Sequence, residues 1–286
     1  MHIKLVHVSL HTQPLLIMNK YSIISALRRL RLMKFLDKIQ YYASYAKSYK
    51  LRRAFYIENP NVKLPPPYFI YETFNLNYFS FYNKSIETAE WLVSYFRKYK
   101  ELENLKVLDW GCGPGRVIRH LPSFMDNSCQ FYGTDYNEKY IDWCIKNISN
   151  VSFTTNKLAP PLNYKNETFD IVYGISIFTH LSKEMHFAWF NELIRVLKQG
   201  GILFLTLQGN GFRNKLTEIE KKHFDSGNLV VRSKSKEGHR TFSAFQPVSF
   251  VKKLIDTHEI LEHVPGEVKN GKPQQDVWII RVTAQK

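Results

Sequence analysis

The 286-residue chain has only three cysteines, Cys112, Cys129 and Cys144, an odd number with no C-x-x-C pair. That excludes a disulfide-stapled secreted scaffold and places the protein in a reducing, cytoplasmic compartment. No His or Cys pairs stand at zinc-ligand spacing, so no metal site is expected. No apolar run reaches the ~18 residues of a membrane span, and no signal-peptide cleavage pattern follows the first residues. Thirteen glycines and twelve prolines are too few for a collagenous or low-complexity chain. What remains, 44% hydrophobic and 23% charged, is a globular composition with material for a sizeable core. The length suits one enlarged domain or one domain with an appendage.

Acidic residues are scarce in one place. Residues 1–64 hold twelve Lys/Arg against two Asp/Glu, whereas residues 65–286 hold 28 against 23. The net charge of +15 therefore belongs mainly to the N-terminal quarter, and an argument for polyanion binding applies there rather than to the body.

Residues 1–20 are short of charge and without a firm period, and a start at Met18 suits the pattern as well as one at Met1. Over 21–56, Ile24, Leu27, Leu30, Phe35, Leu36 and Ile39 keep helical spacing between Arg28, Arg29, Arg31, Lys34 and Lys38, and Tyr41, Tyr42, Tyr45 and Tyr49 extend the stripe. Such a helix either lies on an anionic membrane or nucleic acid, or packs on the domain with its charges solvated. Leu64-Pro65-Pro66-Pro67-Tyr68 cannot be helical throughout and marks a linker.

Beyond it, Ile86, Ala89, Leu92, Val93 and Phe96 predict an amphipathic helix ending near Lys100. Strand patterns then fall at 106–110, 130–134, 151–155, 169–173, 202–207, 260–264 and 276–282, with helical runs at 138–148, 184–198 and 248–257 between them. This alternation predicts an α/β domain with a mostly parallel sheet covered by helices on both faces. The last two strands are separated only by a short loop, 265–273, which suits an antiparallel pair at the end of the sheet.

The strongest local signal is the run from Val107 to Arg116, VLDWGCGPGR. An apolar strand ends in Asp109, and a turn containing Gly111, Cys112, Gly113 and Gly115 opens toward a helical run over 117–121. Glycines let the backbone approach a ligand closely, and the turn lies at the carboxyl edge of the sheet, where open α/β folds bind ligands. A dinucleotide fingerprint needs a small residue where this chain has Arg116. A second acid, Asp135, ends the next strand, where a carboxylate accepts hydrogen bonds from both hydroxyls of a ribose. Asp109 stands where it can meet an ammonium group. Cys112 reads as a small filler of the turn, since no base partner stands beside it.

These residues resemble the class I S-adenosylmethionine-dependent methyltransferases. Asp109–Gly115 is similar to their first motif, Asp135 to their ribose-binding acid, Phe169–Gly174 to their fourth strand, and Leu197–Leu203 to the turn into their fifth. The likeness covers roughly residues 85–284. It implies a Rossmann-like seven-stranded sheet with the last strand antiparallel, and S-adenosylmethionine as cofactor. It also implies a cofactor site drawn from Asp109, Gly111, Cys112, Gly113, Gly115, Arg116, Asp135, Tyr136, Asn156, Lys157, Leu158 and Gly174. The adenine-contacting position, often acidic in the family, is Asn156 here. The division expected is a basic helical extension and linker over 1–84, then a methyltransferase domain over 85–286 with an insertion at 209–246.

The acceptor side carries fewer signals. His180, in SIFTHL after the fourth strand, is the candidate general base, or else it caps or packs the next helix. The insertion contributes His239, Arg240 and Phe245 as candidate substrate contacts, with Lys and Arg there able to meet phosphate or carboxylate groups. LPPP before the fold, FTHLS after the fourth strand and QD opening the last strand are similar to methyltransferases found with bacterial surface-polysaccharide genes. The expectation is methyl transfer to an oxygen or nitrogen of a small-molecule or glycan acceptor, in the cytoplasm or at the inner face of the membrane, with peripheral membrane contact through 21–56. Three alternatives stand beside it: a nucleic-acid methyltransferase using the basic arm, a nicotinamide-dependent oxidoreductase, and a non-catalytic binding module.

Overall fold

The structure, a computed structural model, describes residues 33–233, 236–239 and 241–284. Of the helix expected over 21–56, residues 21–32 lie outside the described residues, and the remainder forms two helices, α1 (Met33–Lys47) and α2 (Tyr49–Glu58). The break falls at Ser48, whose hydroxyl donates to Tyr45 O at 3.0 Å, a local bond that competes with the helical ladder. The proline triplet ends one extended stretch and starts α3 (Pro67–Phe74). Proline costs nothing at a first helical position because that N–H has no partner in any case. Asn77 caps α4 (Tyr78–Phe96) by accepting from Ser80 N–H at 2.9 Å. Phe55, Leu64, Ile70, Tyr71, Tyr78 and Phe81 form a small core within the extension. Further along α4, Ala89, Leu92, Val93 and Phe96 pack on the sheet, so one helix joins extension to domain.

The domain continues with β1 (Lys106–Trp110), β2 (Gln130–Asp135), α5 (Glu138–Asn147), β3 (Ser152–Thr155), β4 (Phe169–Ile175), α6 (Lys183–Val196) and β5 (Leu197–Leu207). The insertion holds α7 (Glu218–Asp225), β6 (Val230–Arg232) and β7 (Ser243–Phe245). After it come α8 (Val248–Ile255), β8 (Glu259–Val264), the short ribbon β9 (Val268–Lys269) and β10 (Lys272–Pro273), and β11 (Asp276–Arg281). The seven-stranded sheet has the order β3-β2-β1-β4-β5-β11-β8. β11 is antiparallel to both neighbours, and the other pairings are parallel. Alternate residues supply the two faces. Val107, Ile171, Phe204 and Ile279 pack against α4 and α5, while Leu108, Val172, Leu203 and Trp278 pack against α6 and α8. That double burial is why the strands read as near-continuous apolar runs.

The structure departs from the sequence pattern locally. The run over 117–121 is a 3₁₀ turn, Ile118–Ser123, with Pro122 inside it, which has no N–H for an α-helical ladder. α6 stops at Val196 because Leu197 already begins β5. The insertion has its own cluster of Phe212, Leu216, Phe224, Val230 and Phe245. Gln246 ties it to the domain: its Oε1 accepts from Gln208 N–H at 3.0 Å, and its amide donates to Phe178 O at 3.2 Å and to His186 Nε2 at 3.0 Å. No helix among the described residues is long and apolar enough to cross a membrane.

His120 lies edge-on to Tyr82, ring centroids 5.5 Å apart, with Nε2 buried and unpartnered. Burial, helped by Arg119 and Arg116, lowers its pKa to about 4. An unfolded histidine titrates near ~6.5, so the unfolded chain binds the proton more readily, and stability is lost as pH falls from there through the folded value. His120→Phe keeps the ring contact and removes the orphaned nitrogen. It is expected to exceed wild type by about 1 kcal/mol at neutral pH, with the gap widening as pH falls toward the folded pKa, read by urea denaturation across pH.

Candidate functional site

The turn after β1 is shaped by its neighbours. The N–H groups of Gly111 and Cys112 both donate to Thr134 O on β2, at 2.8 and 3.0 Å. Gly111 has φ +78°, and a Cβ there would lie 2.2 Å from Ile177 Cδ1, so both conformation and space demand glycine. Gly113 has φ +54° but opens onto free space. Asp135, at the end of β2, fastens this turn to the next one. Its Oδ2 accepts from Gly113 N–H at 2.9 Å and its Oδ1 from Asn137 N–H at 2.8 Å. Burial raises its pKa to about 6, against the pull of the N–H groups of Asn137, Gly113 and Tyr136. Each oxygen keeps acceptor capacity beyond its backbone bond.

Behind the turn, Asp109 is buried and its pKa is pushed up to about 7. The Tyr173 hydroxyl and the Arg116 guanidinium favour its charged form, and Asp135 opposes it. Tyr173 closes no hydrogen bond of regular geometry. Arg116 lies over the Phe74 ring of α3 at 5.4 Å. Gly174 leaves room for Trp110, whose Cε3 would stand 2.8 Å from an added Cβ.

In front of the turn lies a cavity of 310 Å³. Its floor is aromatic: Trp110 and Trp189 pack with centroids 4.9 Å apart, and Trp189 Nε1 donates to Leu158 O at 3.0 Å. One wall is Glu72 and Thr73 of α3 with Tyr140 of α5. The Tyr140 hydroxyl donates to Glu72 Oε2, and Phe69 meets the Tyr140 ring edge-on at 4.5 Å. Gly238 of the insertion bridges above. Its N–H donates to His180 O at 2.9 Å, and its carbonyl accepts from the Tyr136 hydroxyl at 3.0 Å. His180 Nδ1 meets Phe242 O at 2.8 Å. A carbonyl only accepts, so Nδ1 carries the proton and Nε2 keeps its lone pair. Burial lowers the His180 pKa, against the pull of Phe242 O, so the imidazole is neutral at physiological pH.

Of the residues singled out from the sequence, Gly111, Asp135, Tyr136, Asn156, Lys157, Leu158, His180 and His239 line this cavity together. Asp109, Cys112, Gly113, Gly115, Arg116 and Gly174 form the turn or the packing beneath it and are not among the lining residues. Phe245 is buried in the insertion's own cluster, under the Arg232 guanidinium at 5.0 Å. Arg240 lies outside the described residues. Sequence reasoning missed Glu72, Tyr140, Trp189 and Gly238. Glu72 left one signal, as the only acid between Glu58 and Glu87 in an aromatic-rich stretch. All three cysteines are buried and unpaired. No group of three or more His, Cys, Asp or Glu among the described residues is placed to hold a metal.

Strand order, glycine turn and strand-end acid together define an open α/β domain with a cavity at its carboxyl edge, where such folds bind ligands. Residues 107–201 match the family model described as a methyltransferase domain. The sterol 24-C-methyltransferases of Debaryomyces hansenii and Candida albicans are 31% and 30% identical over 106 residues, which is 35% of this chain and 27% of each relative. The chain thus matches about a quarter of the length of these curated relatives. The magnesium protoporphyrin IX methyltransferase of Synechocystis PCC 6803, solved with S-adenosylhomocysteine, superposes with a TM-score of 0.51 at 17% identity, covering 83% of this chain and 95% of that one. An S-adenosylmethionine-dependent methyltransferase from Mesorhizobium loti superposes at 0.53 and 12% identity, covering 68% and 99%. Over residues 107–201 the chain carries a methyltransferase domain, set in the fold that these solved structures share.

Gly111→Ala and Gly113→Ala separate the two demands on the turn. Both force a side chain into the left-handed region, at about 1 kcal/mol, but only the first collides with Ile177. Gly111→Ala should therefore lower stability by roughly 2–4 kcal/mol and Gly113→Ala by about 1, measured by urea denaturation.

Proposed function

We propose that the protein is an S-adenosylmethionine-dependent methyltransferase whose acceptor is an oxygen or nitrogen nucleophile of a small molecule or glycan precursor. The observation that carries this reading is Asp135: a buried carboxylate at a strand end, both oxygens oriented by backbone N–H groups, on the wall of a cavity inside a methyltransferase domain. The open space at Gly113 and the spare acceptor capacity of Asp135 fit a nucleoside ribose.

When bound, S-adenosylmethionine supplies a methyl group on a positively charged sulfur, already a good electrophile. Asp135 would hold the ribose hydroxyls, while Trp110, Leu158, Leu181 and Trp189 offer the apolar surface a purine ring needs. Asn156 and Lys157 stand beside that surface. Asp109 and Arg116 lie behind the turn, where the guanidinium favours the charged form of the buried Asp109 carboxyl. His180, neutral and with Nε2 as its lone-pair nitrogen, would take the proton from the acceptor hydroxyl or amine as it attacks. Alignment supplies much of the remaining rate. His239, at the insertion's edge of the cavity, is the candidate acceptor contact. A glycan or small molecule is favoured over nucleic acid because the body beyond residue 64 has nearly balanced charge, with 28 basic and 23 acidic residues.

The extension supplies a partner surface. Ile39, Tyr42, Tyr49, Leu51, Tyr56 and Ile57 are exposed on α1 and α2 beside exposed Lys38, Lys47, Lys50 and Arg53. Aliphatic side chains add nothing to a phosphate-backbone contact but insert between lipid headgroups, and Lys and Arg complement anionic lipid. The surface therefore suits an anionic membrane.

Calorimetric titration with S-adenosylhomocysteine, NADH in parallel, tests the cofactor. Micromolar binding of the first alone is expected, weakened about tenfold or more in Asp135→Asn, which loses one of its two backbone acceptors. Because the ionised carboxylate is the better acceptor and titrates at about 6, affinity should be flat above neutral pH and fall below that value, levelling near that of Asp135→Asn. Binding of NADH instead would overturn the reading. For the extension, co-sedimentation with phosphatidylglycerol-containing vesicles is expected, none with phosphatidylcholine alone, and loss in the triple variant Tyr42→Ser, Tyr49→Ser, Ile57→Ser. Binding of single-stranded RNA without vesicle binding would overturn the membrane assignment.

A further inference from the structure

Ser176, the first residue after β4, is a non-glycine residue with φ +63°. A serine stays in the left-handed region only where its surroundings over-determine it, and such residues cluster at functional sites. Here every polar group of Ser176 is held. Its N–H donates to Thr206 Oγ1 on β5 at 2.9 Å, its hydroxyl donates to Gln275 Oε1 at 2.7 Å, and its carbonyl accepts from Thr179 Oγ1 at 2.6 Å. Thr206 Oγ1, already accepting from Ser176, sends its own proton to Gln275 Oε1 at 2.6 Å. One carboxamide oxygen thus receives two hydroxyl donors, one for each lone pair.

The three residues come from three neighbouring strands, β4, β5 and the entry to β11. Gln275 stands 99 positions from Ser176 in the chain. The next residue, Asp276, is fully committed elsewhere, accepting from Gly266 N–H at 2.9 Å and meeting His263 Nε2 at 2.8 Å. It fixes the start of β11 so that Gln275 is delivered to the β4 loop. Immediately after Ser176 the chain turns toward the cavity, with Ile177 against Gly111 and then the 3₁₀ turn Phe178–His180. The far end of that turn is held by the insertion, through Phe242 O and Gly238 N–H. Its first residue, Phe178, is tied through its carbonyl to the Gln246 amide at 3.2 Å, and the polar hold on the chain entering the turn runs through Ser176.

We propose that Gln275 and Thr206 are positioning residues for His180, clamping Ser176 in its left-handed conformation so that the 176–180 segment presents the imidazole to the cavity. The use made of His180 rests on the methyltransferase reading; the clamp itself is tested without cofactor or acceptor.

The test compares Gln275→Ala and Thr206→Val with wild type by amide hydrogen exchange over 175–181 and by NMR titration of His180. Both neutral variants are expected to exchange about tenfold faster in that segment, with the β1 amides unchanged. The His180 titration should rise toward its ordinary value of ~6.5 as its burial is relieved. Gln275→Glu keeps an oxygen acceptor for both hydroxyls and should restore slow exchange. Ser176→Gly adopts φ +63° without strain, so it folds even if the others do not, and it should still loosen the segment because the hydroxyl is gone. Unchanged exchange and unchanged His180 titration in folded Gln275→Ala and Thr206→Val, or slow exchange in Ser176→Gly, would overturn the proposal. Failure of the methyltransferase reading would show separately, as wild-type protein that does not bind S-adenosylhomocysteine.

Discussion

The two hydrogen bonds that Asp135 accepts, from Gly113 N–H before it in the chain and from Asn137 N–H after it, join the turn leaving β1 to the turn entering α5. Neither turn has regular structure of its own at that point. Without the carboxylate, the Gly113 and Asn137 N–H groups, both half-buried, would lose the one acceptor that joins the two turns. The backbone carbonyl of Asp135 also accepts from Asn156 N–H at 3.1 Å, so the loop after β3 is indexed to the same residue. Three loops from three adjacent strands are referred to one side chain and its peptide, and the cavity is the space they leave.

Around that frame the protein closes the cavity with two segments that are not part of the alternating core. α3 of the extension contributes Glu72 and Thr73, and the insertion contributes Gly238 and His239. Each is braced by an apolar cluster of its own, Phe55 with Tyr78 on one side and Phe224 with Phe245 on the other. The placement of polar groups over the cavity therefore depends on small aromatic cores some distance away.

The domain was legible in the sequence because both faces of its strands are buried. Val107-Leu108, Ile171-Val172 and Leu203–Leu205 read as apolar runs that admit no other arrangement once helical periods fall between them. The glycine turn and Asp135 were legible because each demands a particular residue type for a local reason. What was not legible depends on contacts distant in the chain. Tyr140 reads as an ordinary helical residue until Glu72, 68 positions earlier, is placed against it. Phe245 reads as a ligand contact in a basic loop, yet the hairpin of β6 and β7 turns it into the insertion's core. The break at Ser48 was invisible for the opposite reason, since the flanking residues keep one helical stripe and it is interrupted only where the Ser48 hydroxyl and the Arg52 guanidinium both donate to Tyr45 O.

Gly238 has a consequence for how this sequence can drift. Its φ is +77°, and a Cβ would stand 2.6 Å from Leu158 Cδ1. Around it lies a polar, basic stretch in which Ser233, Lys236 and His239 are exposed and face few packing demands. The roof of the cavity thus hangs on one position whose left-handed backbone suits glycine, and the neighbouring Glu237 carboxylate, which accepts from Ser182 N–H, ties the same stretch to the chain after β4. Changes at the exposed positions on either side leave the backbone path of the roof in place, whereas a side chain at Gly238 would drive it against Leu158 and Tyr136.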